Sequence, residues 1–160
     1  MKIRKAKKED LKGIMGLSYR LFSKFEKLDN NDKLIKSYFG SKKQYHDFSK
    51  EIKKTTNCFF IAEIDKKIVG CLSINIFDNY PMYQIRKKGH FDLLIIHPEY
   101  RDKGIGKKLI NEGYKWFKEK GIKNFTVTTH ALDKEASKFW KHQGFNEYNI
   151  KYEKWKNYQY

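Results

Sequence analysis

Apolar residues recur at helical spacing in several parts of the chain. Between residues 7 and 28 an apolar stripe falls on one helical face. Its members are Leu11, Ile14, Met15, Leu17, Leu21, Phe22 and Phe25. Residues 32 to 54 predict a second, more polar helix that is broken or bent near Gly40. These two patterns predict a pair of helices in the first third of the chain.

The second half of the chain predicts two further helices. From Gly104 to Lys120 five apolar residues share a broad face, and Gly121 is placed to end the helix. They are Ile105, Leu109, Ile110, Trp116 and Phe117. Residues 132–144 predict a short helix with Asp133 as its N-cap and Gly144 just beyond its end.

Alternating and continuous apolar runs predict the strands. "KIRKA" at residues 2–6 is typical of an edge strand, and the two apolar runs of residues 57–77 predict a hairpin turning at residues 65–67. Further strands are predicted at residues 90–98, 123–131 and 145–155. The order β-α-α-β-β-β-α-β-α-β predicts a mixed α/β (α+β) fold whose helices cover both faces of one sheet.

Composition adds the broad class. The chain has 160 residues without a repeat or a linker-like stretch, so we expect a single domain over residues 1–160. No apolar run approaches the ~18 residues of a membrane span. The charged N-terminus lacks the apolar stretch of a signal peptide, so we expect a cytoplasmic protein without a membrane partner. Cys58 and Cys71 lie in strand-like segments and are expected to be reduced core thiols.

The net charge of +16 favours an anionic cofactor or substrate. Only four of the 35 basic residues are arginines, and the lysines are spread along the whole chain. Recognition of bases and phosphates leans on arginine's planar fork. A nucleic-acid partner therefore stays as an alternative that the charge allows.

The stretch "HPEYRDKGIGKKL" joins a predicted strand to a predicted helix, at residues 97–109. Unpaired N–H groups and the helix dipole make such a junction an anion site. Gly104 and Gly106 are too close together for a Walker loop, and Leu109 stands where the dinucleotide pattern needs a third glycine. A tight turn without a ligand is the remaining alternative from these residues alone.

Three blocks in this order resemble the GNAT superfamily of acyl-CoA-dependent N-acetyltransferases. "HPEYRDKGIGKKL" resembles its Arg/Gln-x-x-Gly-x-Gly/Ala motif. "CFFIAEIDKKIVGCLSI" resembles its preceding hairpin, and "ALDKEASKFWKHQGF" resembles its last motif. The resemblance implies a mixed, mostly antiparallel sheet of six to seven strands with a splayed strand pair, and about four helices on both faces.

The resemblance also implies acetyl-CoA as the co-substrate and no metal. The pyrophosphate is expected on the backbone N–H groups of Arg101, Asp102, Lys103, Gly104, Ile105, Gly106 and Lys107. The pantetheine arm is expected beside Leu94, Ile95 and Ile96, with the N–H of Ile95 or Ile96 stabilising the oxyanion. Asp133 and Trp140 are also expected at the cofactor; they stand where the family frequently has Asn and Tyr.

Strand alternation predicts that His90, Asp92, Leu94 and Ile96 share one face. We therefore expect His90 or Asp92 to assist in deprotonating the amine; the alternatives are a surface histidine beside a structural aspartate, or a water chain. Trp140 is expected at the sulfur end of the cofactor, with ordinary core packing as the alternative. Because an indole cannot give up a proton, a general acid would be Tyr100, Tyr148 or Tyr152, or the thiolate leaves unprotonated.

The sequence thus predicts an N-acetyltransferase that transfers the acetyl group of acetyl-CoA to a primary amine of a small molecule or protein, by direct attack in a ternary complex. A non-catalytic CoA-binding regulatory module and an RNA- or ribosome-associated basic protein are the alternatives. The acceptor is expected among residues 18–55 and 78–88, which are rich in aromatics. The sequence allows either a monomer or a homodimer.

Overall fold

The computed structural model describes residues 1–154, in which one mixed sheet carries five strands. The strands are β1 (Lys2–Lys5), β2 (Asn57–Ile64), β3 (Lys67–Asp78), β4 (Lys87–Ile96) and β5 (Phe125–Val127). They lie in the order β1-β2-β3-β4-β5; the first four are antiparallel, and β5 runs parallel to β4. The β2–β3 turn places Asp65 and Lys66 at positive φ, as two-residue hairpin turns require.

Within residues 1–154, four α-helices flank this sheet, as the sequence predicts. They are α1 (Leu11–Leu28), α2 (Lys42–Glu51), α3 (Ile105–Glu119) and α4 (Lys134–His142). Short 3-10 helices cover Lys8–Asp10, Lys36–Tyr38 and Pro98–Tyr100. The predicted break near Gly40 is confirmed, because this glycine has φ of 79° and separates the second 3-10 helix from α2.

The two faces of the sheet bury separate apolar clusters. Helices α1 and α2 cover one face, where Leu11, Ile14 and Leu17 pack on Ile61 and Ile95. Helices α3 and α4 cover the other face. There the predicted stripe of α3 packs with Leu72, Ile74, Phe91 and Trp140. Cys58 and Cys71 are buried free thiols, as expected, and burial raises their pKa values to about 11 and about 12.

A bulge in β4 overturns the predicted alternation along that strand. Ser73 pairs with Leu93, whereas the next residue of β3, Ile74, pairs with Phe91, so Asp92 is an extra residue on β4. Phe91, Leu94 and Ile96 consequently face α3 and α4, while Leu93 and Ile95 face α1 and α2. Leu94 and Ile96 therefore do not share the face of Asp92, contrary to the prediction.

The expectation of six to seven strands is too high for residues 1–154, which form five. The strand predicted at residues 145–155 is absent over 145–154, and residue 155 lies outside the described residues. Its alternating side chains stay in solvent: Tyr148, Ile150 and Tyr152 are 72%, 75% and 87% exposed. An alternating pattern needs a neighbouring strand and a face to bury, and this segment has neither.

The splayed strand pair expected near the cofactor motif lies between β4 and β5. These strands pair only at Gly89–Phe125, His90–Thr126 and Phe91–Val127. Strand β5 then ends, whereas β4 continues for five residues to Ile96. As far as residue 154, no strand therefore pairs with the second half of β4 on this side, and its edge is open there.

Candidate functional site

The turn between β4 and α3 holds a row of unpaired backbone amides. Asp102 and Gly104 have φ of 59° and 72°, which turns the chain abruptly into the first turn of α3. The first helical bond runs from the Lys108 amide to the Gly104 carbonyl. Within residues 1–154 none of the amides from Asp102 through Lys107 donates a hydrogen bond. Six such groups at a helix N-terminus form a site that favours an anion.

Basic side chains surround these amides. Arg101 is exposed; its Nε donates to the Ile96 carbonyl over 3.4 Å, and its Nη1 lies 4.0 Å from Glu135 Oε1. Lys103 donates to the Glu99 carbonyl over 3.0 Å, and its ammonium lies 5.1 Å from the centre of the Tyr100 ring. Lys107 is exposed on the first turn of α3. The turn is therefore positive on its side chains as well as on its backbone.

The open edge of β4 leads directly into this turn. The His97 amide donates to the Val69 carbonyl of β3 over 2.8 Å. Because backbone groups alternate in direction along a strand, Ile95 also points toward β3, whereas Leu94 and Ile96 direct their amides to the side where β5 has ended. The open edge of β4 over residues 92–96 is called the channel below, and it ends at the amide row. The amides of Leu94 and Ile96 are thus available as hydrogen-bond donors along this channel.

His90 lies where β4 and β5 still pair. Its Nδ1 is 2.8 Å from Thr126 Oγ1, and that hydroxyl is 3.3 Å from the Gly89 carbonyl. When the hydroxyl donates to Gly89, Nδ1–H donates to the hydroxyl and Nε2 keeps a lone pair. Burial lowers the pKa of His90 below 6.5, partly opposed by the charge of Asp92. The lowered pKa favours the neutral imidazole, which is the form that can accept a proton.

Asp92 occupies the bulge and is open to solvent, unlike the apolar residues on either side of it. It accepts a hydrogen bond from Ser73 Oγ over 2.9 Å. Both residues line a cavity of about 750 Å³ between the sheet, α1, α2 and residues 33–41. The bulge therefore directs this carboxylate into the space beside the channel.

Trp140 and Asp133 are held by structural contacts. Trp140 is 7% exposed, and its ring centre lies 5.5 Å from Phe91 and 5.2 Å from Phe145. The Asp133 carboxylate caps α4 by accepting from the Ala136 amide, and it pairs with Lys24 at 2.9 Å. Burial would raise the pKa of Asp133, but these two donors outweigh it and lower the pKa. Trp140 nevertheless touches Phe91, the last residue of β4 that pairs with β5.

Residues 1–154 were also compared with the features of a cysteine nucleophile, a metal site and a membrane-spanning helix. The raised pKa values of Cys58 and Cys71 disfavour the thiolate that a nucleophile needs. Between residues 1 and 154 no three His, Cys, Asp or Glu side chains are grouped as metal ligands would be. Over the same range, no helix combines the length and the apolar character that crossing a membrane requires.

Three supporting residues escape sequence reasoning. Ser73 and Thr126 each reach a candidate residue from a neighbouring strand, and Lys24 reaches Asp133 and Glu135 from α1. None has a local signal, because each partner lies between 19 and 111 positions away in the chain. Only the strand register and the helix packing bring these residues together.

Comparison with known proteins identifies the family to which the chain belongs. The model of the acetyltransferase (GNAT) family matches residues 24–145, well over half of the chain. An uncharacterised N-acetyltransferase of Methanocaldococcus jannaschii is 26% identical over 152 residues, covering 92% of this chain and 62% of the relative. The chain thus spans about three fifths of that relative's length.

Solved structures agree on the fold. The BH1408 protein of Bacillus halodurans, as a tetramutant, superposes with a TM-score of 0.81 at 17% identity, covering 96% of this chain and 98% of the other. The aminoglycoside N-acetyltransferase AAC(6')-Iy, solved in complex with CoA, has a TM-score of 0.73 at 20% identity, with the same coverage. With a five-stranded sheet that opens beside a glycine turn and a family model that matches most of its length, this chain belongs to the GNAT acetyltransferase family.

Proposed function

We propose that the protein transfers the acetyl group of acetyl-CoA to a primary amine, by direct attack within a ternary complex. The observation that carries this proposal is the row of six unpaired amides from Asp102 to Lys107, joined to the open edge of β4. A diphosphate needs the first feature. An amide-containing arm with a thioester at its end needs the second.

The cofactor would lie along β4 with its pyrophosphate on the amide row. Arg101, Lys103 and Lys107 would balance its charge. Its pantetheine arm would run beside Leu94, Ile95 and Ile96 and bond to the backbone groups that β5 leaves unpaired. Asp133 would act by holding the N-terminus of α4 beside the channel, through its cap and its pair with Lys24.

The reaction would occur where β4 and β5 separate. The amine nitrogen attacks the thioester carbon and forms the C–N bond, and the negative charge that develops on the carbonyl oxygen is stabilised by the N–H of Ile96 or Leu94. The C–S bond then breaks, and the electron pair leaves with sulfur. Trp140 would pack against the sulfur end, and the thiolate leaves without an acid because thiols are fairly acidic.

Proton transfer would use His90, whose neutral imidazole has a free Nε2. The amine arrives as an ammonium and must lose one proton before it attacks. His90 would accept that proton directly or through one water, while Asp92, about 7 Å away along the strand, holds the ammonium in place. The amide product keeps one N–H, and the remaining proton of the tetrahedral nitrogen goes to solvent or to the thiolate.

Membership of the GNAT family supports acetyltransferase activity in general, and acetyl-CoA is a co-substrate that fits this activity. The structural neighbour AAC(6')-Iy was solved with CoA. A soluble co-substrate such as acetyl-CoA fits a cytoplasmic location, which stays a prediction. The oligomeric state, a monomer or a homodimer, also stays a prediction. A CoA-binding module without catalysis is the second candidate. It is favoured by Trp140, which supplies no proton and packs in an aromatic cluster.

Two measurements separate these candidates. Calorimetric titration with acetyl-CoA tests the cofactor site, and we expect micromolar binding. Release of free thiol, followed with a panel of primary amines, tests transfer. Binding without amine-dependent thiol release would favour the regulatory module. Absence of acetyl-CoA binding, together with salt-dependent binding of RNA, would overturn the proposal in favour of an RNA-associated protein.

A further inference from the structure

The cavity above Asp92 has walls that are mostly apolar and aromatic. Phe22 of α1, Phe48 of α2 and Phe59 of β2 line it, together with Tyr38 and Phe39 from the segment before α2. Its volume of about 750 Å³ is within the range of small-molecule sites. A wall of this kind suits a ligand with a substantial apolar body.

Three carboxylates line the cavity, and two of them are already compensated. Asp47 accepts from the Tyr38 hydroxyl at 2.9 Å and from Lys43 at 3.2 Å, and these contacts lower its pKa. Glu51 accepts from Lys54 at 2.6 Å and from Asn57 at 2.8 Å. Each of these two carboxylates therefore already has a lysine as its ionic partner.

Asp92 is the third carboxylate, and it differs from the other two. Its partner is the neutral hydroxyl of Ser73, and within residues 1–154 it forms no ion pair with a lysine or arginine. It lines the cavity from β4, the strand whose edge is open beyond β5. Among the described lining residues, the cavity therefore presents one carboxylate without an ionic partner.

The remaining charges oppose a polycation. Lys33 and Lys43 also line the cavity, and the whole chain carries a net charge of +16. A ligand with several ammonium groups would meet repulsion from the wall and from the overall field. A ligand with a single ammonium group escapes most of this repulsion and has Asp92 for its one charge.

Resting on the proposed function, we infer that the acceptor is an amphipathic primary monoamine, whose single ammonium group sits on Asp92 while an aromatic or branched apolar body fills the cavity. Polyamines and aminoglycosides, which carry several positive charges on polar frameworks, are poor acceptors. The proposal names a chemical class, and 2-phenylethylamine is its simplest probe.

Matched acceptors test the class. Thiol release from acetyl-CoA is measured with 2-phenylethylamine, with 2-aminoethanol, which lacks the apolar body, and with the polycations spermidine and kanamycin. We expect kcat/KM for 2-phenylethylamine to exceed that of each other amine by about tenfold or more, since burying a phenyl ring in an apolar pocket is worth at least this factor. A preference for spermidine or kanamycin would overturn the inference.

Matched variants test the charge. Asp92→Asn and Asp47→Asn both remove a carboxylate from the cavity wall, but only Asp92 is uncompensated. Binding of 2-phenylethylamine is measured by calorimetry on the protein saturated with CoA, so that no reaction is needed. We expect Asp92→Asn to raise Kd about tenfold and Asp47→Asn to change it less than about twofold. Equal losses in the two variants would contradict the inference.

The two proposals fail differently. If acetyl-CoA does not bind, the proposed function fails. If acetyl-CoA binds and a polycationic amine releases thiol while 2-phenylethylamine does not, the proposed function stands and the monoamine inference fails. If 2-phenylethylamine binds the CoA complex through Asp92 without turnover, the ligand class stands and catalysis fails.

Discussion

The two ends of the proposed reaction site are built in different ways. The cofactor end, from Arg101 to Lys107, is one continuous stretch whose working groups are backbone amides. The acceptor end is a cavity whose wall comes from α1, α2, the segment between them and three strands, and its working groups are side chains. The cofactor end needs only a turn and the helix that follows it. The acceptor end needs two helices, a connecting segment and three strands to be packed in their correct positions.

This difference predicts how substitutions at the two ends should affect the protein. Because the proposed contacts of an amide row come from the backbone, we expect the cofactor end to tolerate side-chain substitutions that preserve Gly104 and the shape of the turn. A single replacement in the cavity wall alters size or charge directly. We therefore expect variants at the two ends to separate cleanly: one group should affect acetyl-CoA binding, and the other should affect amine selection and the chemical step.

The largest effect is expected at His90. His90→Ala should lower kcat by about 10²-fold or more while leaving acetyl-CoA affinity unchanged, because a positioned general base contributes this much. In the parent protein kcat/KM should fall on the acid side as His90 becomes protonated. Because burial lowers the pKa of His90, that fall should occur below pH 6.5. The check is kcat/KM against pH for both proteins; an unchanged profile in His90→Ala would remove His90 from the mechanism.

Asp92→Asn sharpens the same test. The charge of Asp92 raises the pKa of His90, against the larger effect of burial. Removing that charge should therefore move the acid limb of the kcat/KM profile to lower pH. A limb that stays in place would show that another group titrates there.

A second large effect is expected at the opposite end. Gly104→Val places a β-branched side chain at φ of 72° and should raise the Kd for acetyl-CoA at least about tenfold, because the strained turn relaxes and the amides no longer converge. Gly121→Val is the matched control: Gly121 has φ of 71°, also with open space at its Cβ position, but lies just beyond α3. Calorimetry should show a loss only for Gly104→Val; equal losses would mean that general strain is the cause.

Substitution of Asp133 is expected to have a moderate effect on the stability of the protein. Asp133→Ala should lower the free energy of unfolding by about 1–2 kcal/mol, because α4 loses its cap and Lys24 its buried partner. Asp133→Asn should cost less, since asparagine caps a helix equally well. Urea denaturation checks this; a larger loss for Asn than for Ala would contradict the capping role.

The stability contributed by Asp133 should also depend on pH. Its pKa is lowered in the folded protein, so this contribution is present above the unfolded value near ~3.9 and is lost as pH falls through the lower folded value. The stability difference between the parent and Asp133→Asn should therefore shrink in acid. A difference that is constant down to pH 3 would argue against a charged carboxylate at this position.

The smallest effect is expected from single lysines. Lys107→Ala should raise the Kd for acetyl-CoA by about two- to fivefold at low salt, and less as salt is added. Lys118→Ala removes the same charge from the last turn of the same helix and should have almost no effect. If both variants weaken binding equally, the overall positive field, and not the local turn, attracts the cofactor.

The sequence by itself determined the helices, the hairpin and the turn between β4 and α3, because each depends on neighbours within a few positions. The apolar stripes of α1 and α3 and the cap at Asp133 follow from helical spacing. The motif from Arg101 to Gly106 predicts a strand-to-helix turn that needs little from outside. These features were predictable since local periodicity and glycine conformation control them.

Only the tertiary structure decided what the acceptor end looks like. The bulge at Asp92 reverses the facing of Leu94 and Ile96, and strand alternation gives no warning of it. The pairing of His90 with Thr126, and the absence of a strand at residues 145–154, depend on which edges the sheet leaves open. A sequence records side-chain order along one strand; register, bulges and edge partners come from contacts between distant segments, and those contacts place Asp92 in the wall of the cavity.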